Sequence, residues 1–481
     1  MRIRLQNFLS RDFYVPAGLL VLNLFLKMLF LNSRDLAMDE PFTVFYAQGG
    51  LPFIFHMLPS ENNPPLFFLL LHFWINIFGI SVFSVRFLSC IFSSLLVLVI
   101  WLIGRKFISF RTGLVASLLY TFSGYEILFA HEARVYPLFA FLTALSFFLF
   151  LSMVREPKKK KYPVLLTITN ILLIYSHFFG FVALLTQVVC CLAIKEIRQK
   201  VLRFYLITLA LTLVAFIPYF PITLSRFSAS SGGTWIPAPQ WSDLYTMVWR
   251  FSNAPVVTVF FILILSGAGI MFCIRSRRWE ILDKNAVLMV ILWFFFPFLF
   301  LFLVSFRTPV FLDRYMIFIT PAWYLLIAMA IDRLSVNRFS GYILITATVT
   351  SMLITFNPDV DNKRRIKEVV AKVESLKKPG VPVVICPEWL KYSFAYYYDR
   401  EAFKDYENLD ARMNRENIYP VNDYSRLDTV FLKQAPAAIY FEEWATLVDK
   451  ETRIQKGLEV NFPFRTSWKI FESYSVTWFS K

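Results

Sequence analysis

Residues 87–103, 138–154 and 286–306 contain no charged side chain. A helix packed on a water-soluble core keeps one polar face, so three such runs argue against a soluble fold. A run of roughly 17–25 apolar residues does match a bilayer hydrocarbon core about 30 Å thick. Less complete runs bring the expected spans to eleven: 14–31, 82–104, 112–130, 136–154, 163–178, 179–194, 204–222, 254–274, 286–306, 315–331 and 339–356. Only 17% of residues are charged and 57% are hydrophobic, against about a quarter charged in soluble domains. The 54 Phe, 22 Tyr and 12 Trp suit lipid-facing surface and interfacial anchoring.

The net charge of +16 does not point to nucleic acid, because the basic residues fall in short clusters between apolar runs. There they act as orientation signals. One set of loops holds Arg2, Arg4 and Arg11, then Arg105, Lys106 and Arg111, then Lys158–Lys161, and later Arg275, Arg277 and Arg278. The short loops of the other set hold only Arg34, Arg134, Arg226, Arg250, Arg307 and Arg314. The bias puts the N-terminus in the cytoplasm and everything beyond 357 outside. The first apolar run follows basic residues but has no small-residue cleavage site, so it reads as a retained helix. The apolar stretch 64–78 is too short to span and carries His72 and Asn76. It reads as an interfacial or re-entrant helix on the outer face.

From 357 onward charged residues and Tyr become common and long apolar runs end. The expected elements are helices at 366–376, 389–398 and 442–455, and strands at 381–385, 437–441 and 473–479, an α/β pattern. The fold class is therefore a polytopic α-helical membrane protein, with a membrane domain over 1–356 and a small extracytoplasmic α/β domain over 357–481. The cysteines Cys90, Cys190, Cys191, Cys273 and Cys386 have neither disulfide-framework nor metal-ligand spacing.

Ionisable residues beside hydrocarbon are costly to keep, so they mark candidate sites. Three outer loops concentrate them: Asp39-Glu40 with Glu61-Asn62-Asn63; His131-Glu132-Ala133-Arg134-Val135-Tyr136; and Arg307 with Asp313-Arg314-Tyr315. On spacing alone, Asp39 and Glu40 are a base and its helper or acids at a helix start. Glu132 and Arg134 are site residues or a local ion pair. Lys27 either snorkels from the outer end of the first span or faces a lipid phosphate. His72 and His177 read as packed polar residues.

Met38-Asp39-Glu40, Asn63-Pro64-Pro65-Leu66-Phe67, His72-Phe73-Trp74, Phe78-Gly79, Arg86-Phe87-Leu88-Ser89 and Glu132-Ala133-Arg134-Val135-Tyr136-Pro137-Leu138 occur in that order. Together they resemble the GT-C superfamily of membrane glycosyltransferases. The resemblance is to bacterial proteins similar to dolichyl-phosphate-mannose protein mannosyltransferases and the lipid A aminoarabinose transferase. It covers 35–140 well and 230–330 loosely, through Trp235-Ile236-Pro237-Ala238-Pro239 and Asp313-Arg314-Tyr315. It implies a polyprenyl-phosphate sugar donor and a glycan, lipid or protein acceptor, at the outer face of a bacterial cytoplasmic membrane. Catalytic roles fall to Asp39, Glu40 and Glu132, with Asp39 as general base. Substrate-binding roles fall to Asn63, Arg134, Tyr136, Arg314, Tyr315, Lys27 and Arg86. The aminoarabinose transferases carry a lysine beside the proline that Asn63 precedes here. Asn63 cannot neutralise a phosphate, so either another cation does so or the donor geometry differs. No metal is assigned; a divalent cation on Asp39, Glu40 and Glu132 stays open as an alternative. The competing readings are a transporter or flippase of lipid-linked glycans, and a glycan polymerase, ligase or receptor. Against the transporter stands the lack of any internal repeat.

Overall fold

The computed structural model describes residues 2–229, 236–274, 284–359, 364–427, 429–470 and 474–481. Trp235 and the basic residues Arg275, Arg277 and Arg278 lie outside them. The chain divides into two compact units. The first comprises Met1–Leu29, His56–Phe67 and Arg86–Val360. The second comprises Phe30–Phe55, Phe68–Val85 and Asp361–Lys481, so it takes in the Asp39-Glu40 segment as well as the C-terminal residues.

In chain order the helices are α1 (Arg2–Met28), α2 (Asp39–Gln48), α3 (Leu51–Met57), α4 (Leu66–Phe78), α5 (Val82–Ile103), α6 (Phe110–Thr121), α7 (Gly124–Ala130), α8 (Tyr136–Arg155), α9 (Lys161–Ser176), α10 (Gly180–Ala193), α11 (Lys195–Phe216), α12 (Phe220–Ala229), α13 (Ser242–Phe251), α14 (Pro255–Ile274), α15 (Lys284–Val304), α16 (Asp313–Met316), α17 (Thr320–Leu334) and α18 (Arg338–Ile354). Their limits follow ordinary capping chemistry. Ser109 accepts the Thr112 N–H at the start of α6, and Asn337 forms a reciprocal capping box with Ser340 at α18. Pro137 sits in the first turn of α8, where its missing N–H costs nothing. Gly79 ends α4 with φ +71°, a conformation glycine adopts without a Cβ clash.

The eleven expected spans resolve unevenly. Among the described residues six helical stretches are long and apolar enough to cross a membrane: Val82–Ile108, Tyr136–Arg155, Lys195–Arg226, Pro255–Ile274, Lys284–Val304 and Asp313–Leu334. The expected span 112–130 is the pair α6 and α7, bent by 61°. Polar groups hold that bend. Asn253 accepts the Gly124 N–H and donates to Phe122 O, each at 2.8 Å, while Ser123 caps α7 and takes a bond from Tyr324. At 163–178, 179–194 and 339–356 the helices have 16, 14 and 17 residues, and the apolar part of α1 is Phe13–Met28. The stretch at 64–78 forms α4, whose 13 residues rise roughly 20 Å, short of the core thickness. Where α5 runs on to meet α6, Gly104 faces the Gly113 backbone so closely that a Cβ would overlap it. Small residues allow such backbone approach where both helices are apolar.

The sheet lies in the second unit. Its strands are β1 (Val383–Cys386), β2 (Ile418–Pro420), β3 (Ala437–Glu442), β4 (Phe464–Ile470) and β5 (Tyr474–Ser480), in the order β2-β1-β3-β5-β4. β1 pairs parallel with β2 and β3; β5 pairs antiparallel with β3 and β4. The helices α19 (Ile366–Leu376), α20 (Leu390–Tyr398) and α21 (Arg400–Lys404) belong to the same unit. Three expected strands and two expected helices are therefore present within a few residues. The expected helix 442–455 is not. Glu442 ends β3, and Trp444 and Thr452 take left-handed φ of 50° and 53°, so the helix begins only at Arg453. The strands β2 and β4 were not expected. β4 is an edge strand with Phe464, Arg465 and Lys469 exposed, so it lacks the apolar alternation of a buried strand.

Candidate functional site

In the second unit Asp39 and Glu40 form the first turn of α2. A helix N-terminus favours acids there, through the partial positive charge of its free N–H groups. Glu40 is buried and Asp39 half-buried. Met38, just ahead, has φ 56°, and the Thr43 hydroxyl donates to Asp39 O at 2.8 Å. α2 is anchored by aromatic rings. Phe42, Phe45 and Tyr46 pack on Tyr392, and the Tyr46 and Tyr392 hydroxyls are 3.1 Å apart. The same unit holds a cleft of about 910 Å³, with Tyr396, Tyr397, Arg400 and Tyr406 among its walls.

In the first unit a second cluster gathers at the ends of α8, α9 and α16. It begins with Glu61, which the sequence reading did not assign. Glu61 Oε1 accepts from the Asn63 backbone N–H at 3.1 Å and from its Nδ2 at 2.8 Å. The same oxygen meets Arg134 Nη2 at 3.5 Å, with both side chains 7% exposed. Asn63 is therefore a buried strut, and the nearby cation is Arg134. The Arg134 segment is held in turn: its N–H donates to Glu132 O, and Ser89 donates to its carbonyl. Glu132 is half-buried at this turn.

From there the cluster continues through Tyr136, Arg314, His177 and Tyr315. Arg314 Nη1 donates to the Tyr136 hydroxyl at 3.4 Å. His177, which caps the end of α9, stacks on Phe139 at 4.6 Å and lies 5.6 Å from the Tyr315 ring and 6.3 Å from that of Tyr136. Its Nδ1 accepts the Phe179 N–H at 3.1 Å. That contact puts the proton of the neutral ring on Nε2. Nε2 is buried and has no hydrogen-bond partner among the described residues. A buried unused donor costs about 1–3 kcal/mol and needs an explanation. The sequence alone marks His177 as a packed polar residue. Its position at a helix end was the signal available for it.

Lys27 is elsewhere. It is fully buried, and its ammonium donates to Ser93 O, Ser93 Oγ and Tyr120 OH at 3.3, 2.5 and 3.1 Å. All three N–H bonds are thus committed inside the helical core. The expectation that Lys27 snorkels or faces a lipid phosphate is corrected: α5 and α6 close over it. The Lys27 carbonyl takes a bond from His131 Nε2 at 2.8 Å, which ties α1 to the turn before Arg134. Glu126, absent from the sequence reading, is also buried. Thr320 donates to one of its oxygens at 2.5 Å, and the other has no hydrogen-bond partner among the described residues. A lone acid within 112–130 was the signal available for it. Arg86 is fully buried near the start of α5. Among the described residues no three His, Cys, Asp or Glu side chains assemble as a metal-ligand group.

Residues 62–222 match the family described as dolichyl-phosphate-mannose-protein mannosyltransferase. A search of curated proteins finds no match. Among solved structures the fold is similar to ArnT from Cupriavidus metallidurans bound to undecaprenyl phosphate. The TM-score is 0.61 at 13% identity, covering 96% of this chain and 97% of that one. Its fold is that of the GT-C superfamily. The archaeal oligosaccharyltransferase AglB from Archaeoglobus fulgidus, in complex with an inhibitory peptide and a dolichol-phosphate, has the same architecture. There the TM-score is 0.55 at 10% identity, over 93% of this chain and 72% of that one. At such identities the likeness is one of fold.

Proposed function

We propose that this GT-C chain is an inverting glycosyltransferase. It moves a sugar, a hexose or a pentose, from a polyprenyl-phosphate carrier to an acceptor hydroxyl at the outer face of the cytoplasmic membrane. The observation that carries this reading is the cluster of Arg134, Arg314, Tyr136 and Tyr315 around an unused His177 N–H. Cations and hydroxyl donors at one hydrocarbon boundary suit a lipid-borne phosphate. The GT-C neighbours whose structures hold undecaprenyl phosphate or a dolichol-phosphate support the same ligand class.

In this reaction Asp39 takes the proton of the acceptor hydroxyl as that oxygen attacks the anomeric carbon. The bond from carbon to phosphate oxygen breaks on the opposite face, and the configuration inverts through an oxocarbenium-like state. The leaving phosphate gains charge, which Arg134, Arg314 and Arg86 stabilise together with the tyrosine hydroxyls. A phosphate leaves without a strong general acid. Glu40 and Glu132 orient the acceptor and the arginines. Asp39 takes the base role on the sequence resemblance. Asn63 replaces a charged residue of the relatives, and the Glu61-held Arg134 supplies the cation instead.

Asp39→Asn keeps the shape of the side chain and removes the base. Transfer of labelled sugar from a polyprenyl-phosphate donor in proteoliposomes should fall about 10²–10⁴-fold with an unchanged melting temperature. Full transfer by this variant would remove Asp39 from the mechanism. Flipping of the labelled lipid without any transfer by the unaltered protein would favour the flippase reading.

A further inference from the structure

At the other end of α17 from Tyr315, the first unit carries an apolar groove of about 510 Å³. Its floor is α17, through Leu326, Met329 and Ala330; its walls are α14 and α15. Phe272 and Phe295 stand exposed on those walls. Lys284 opens α15, Arg333 lies in the last turn of α17, and both line the groove at the same end. Asp332, next to Arg333 in sequence, is turned towards α6, where Ser109 and Thr112 donate to it. Among the described residues that line the groove, the charged ones are Lys284 and Arg333, both basic. From Lys284 to Phe295 the groove follows α15 for roughly 16 Å, about half of a 30 Å hydrocarbon core. An apolar slot one leaflet deep with two cations at its headgroup end has the chemistry of an amphiphile with a negative head.

We propose that this groove is a binding site for an acidic glycerophospholipid. One acyl chain lies against Ala330 and Met329, and the phosphate headgroup sits on Lys284 and Arg333. The loop charges assign this end to the cytoplasmic side, so the site is distinct from the outer cluster and does not depend on the proposed transfer reaction. Gly269 provides a way to fill it, since a Cβ there would meet no atom within 4 Å.

The test is native mass spectrometry of the full chain released from nanodiscs of equal phosphatidylglycerol and phosphatidylcholine. The unaltered protein should retain phosphatidylglycerol preferentially. Lys284→Glu with Arg333→Glu should lower that retention roughly thirty-fold, at about a tenfold loss for every 1.4 kcal/mol and about 1 kcal/mol per basic residue. Gly269→Leu should lower retention of both lipids by blocking the chain while leaving the charges in place. Equal retention of the two lipids by the unaltered protein, or unchanged phosphatidylglycerol retention in the charge-reversed variant, would overturn the proposal. So would displacement of phosphatidylglycerol by undecaprenyl phosphate at equal concentration.

Discussion

Lys27 and His177 are both polar, both buried and both in the helical unit, yet their hydrogen bonds are settled in opposite ways. Lys27 spends every N–H on Ser93 and Tyr120 and lies over the Tyr120 ring at 4.2 Å. His177 spends Nδ1 on a backbone N–H and leaves Nε2 without a partner among the described residues. Buried charge held by the protein serves the fold, because its desolvation is offset where it stands. A buried donor left over, beside Tyr136 and Tyr315, is open to a ligand or a water.

Lys27→Met tests the structural half and should have the largest effect. Removing the ammonium leaves the Ser93 and Tyr120 oxygens that accept from it buried in the core, a loss of about 1–3 kcal/mol for each group stranded. The melting temperature in detergent should drop, while transfer per folded molecule stays within a few-fold of normal. Lost transfer at an unchanged melting temperature would return Lys27 to the phosphate site. Arg314→Gln tests the other half. A cation that acts on developing charge is worth roughly 10²–10³ in rate. That loss should appear in kcat, with the melting temperature barely moved because Arg314 is half-exposed. The smallest effect is expected from His177→Phe, which preserves stacking on Phe139 and removes the donor. KM for the polyprenyl-phosphate sugar should rise about tenfold, the worth of one hydrogen bond, with stability unchanged or slightly improved. An unchanged KM would mean that His177 merely packs.

The elements legible in the sequence were those whose cause is local. The apolar runs at 82–104, 136–154 and 286–306 became α5, α8 and α15, because an uncharged helical run has few alternatives to burial or lipid contact. The buried strands β1 and β3 were legible as short apolar runs, whereas β4 was not, since its edge position leaves its side chains in water. The bend between α6 and α7 depends on Asn253, far along the chain, and no periodicity within 112–130 announces it.

For the candidate site the division is similar. The sequence by itself determined which residues carry charge near the helix ends: Asp39, Glu40, Glu132, Arg134 and Arg314. Only the tertiary structure decided that Lys27 closes into the core, that Glu61 holds both Asn63 and Arg134, and that His177 has a donor to offer. The physical reason is distance along the chain. A residue's type fixes how many hydrogen bonds it must make, whereas its partners, 66 positions away for Lys27 and Ser93, exist only once the helices have packed.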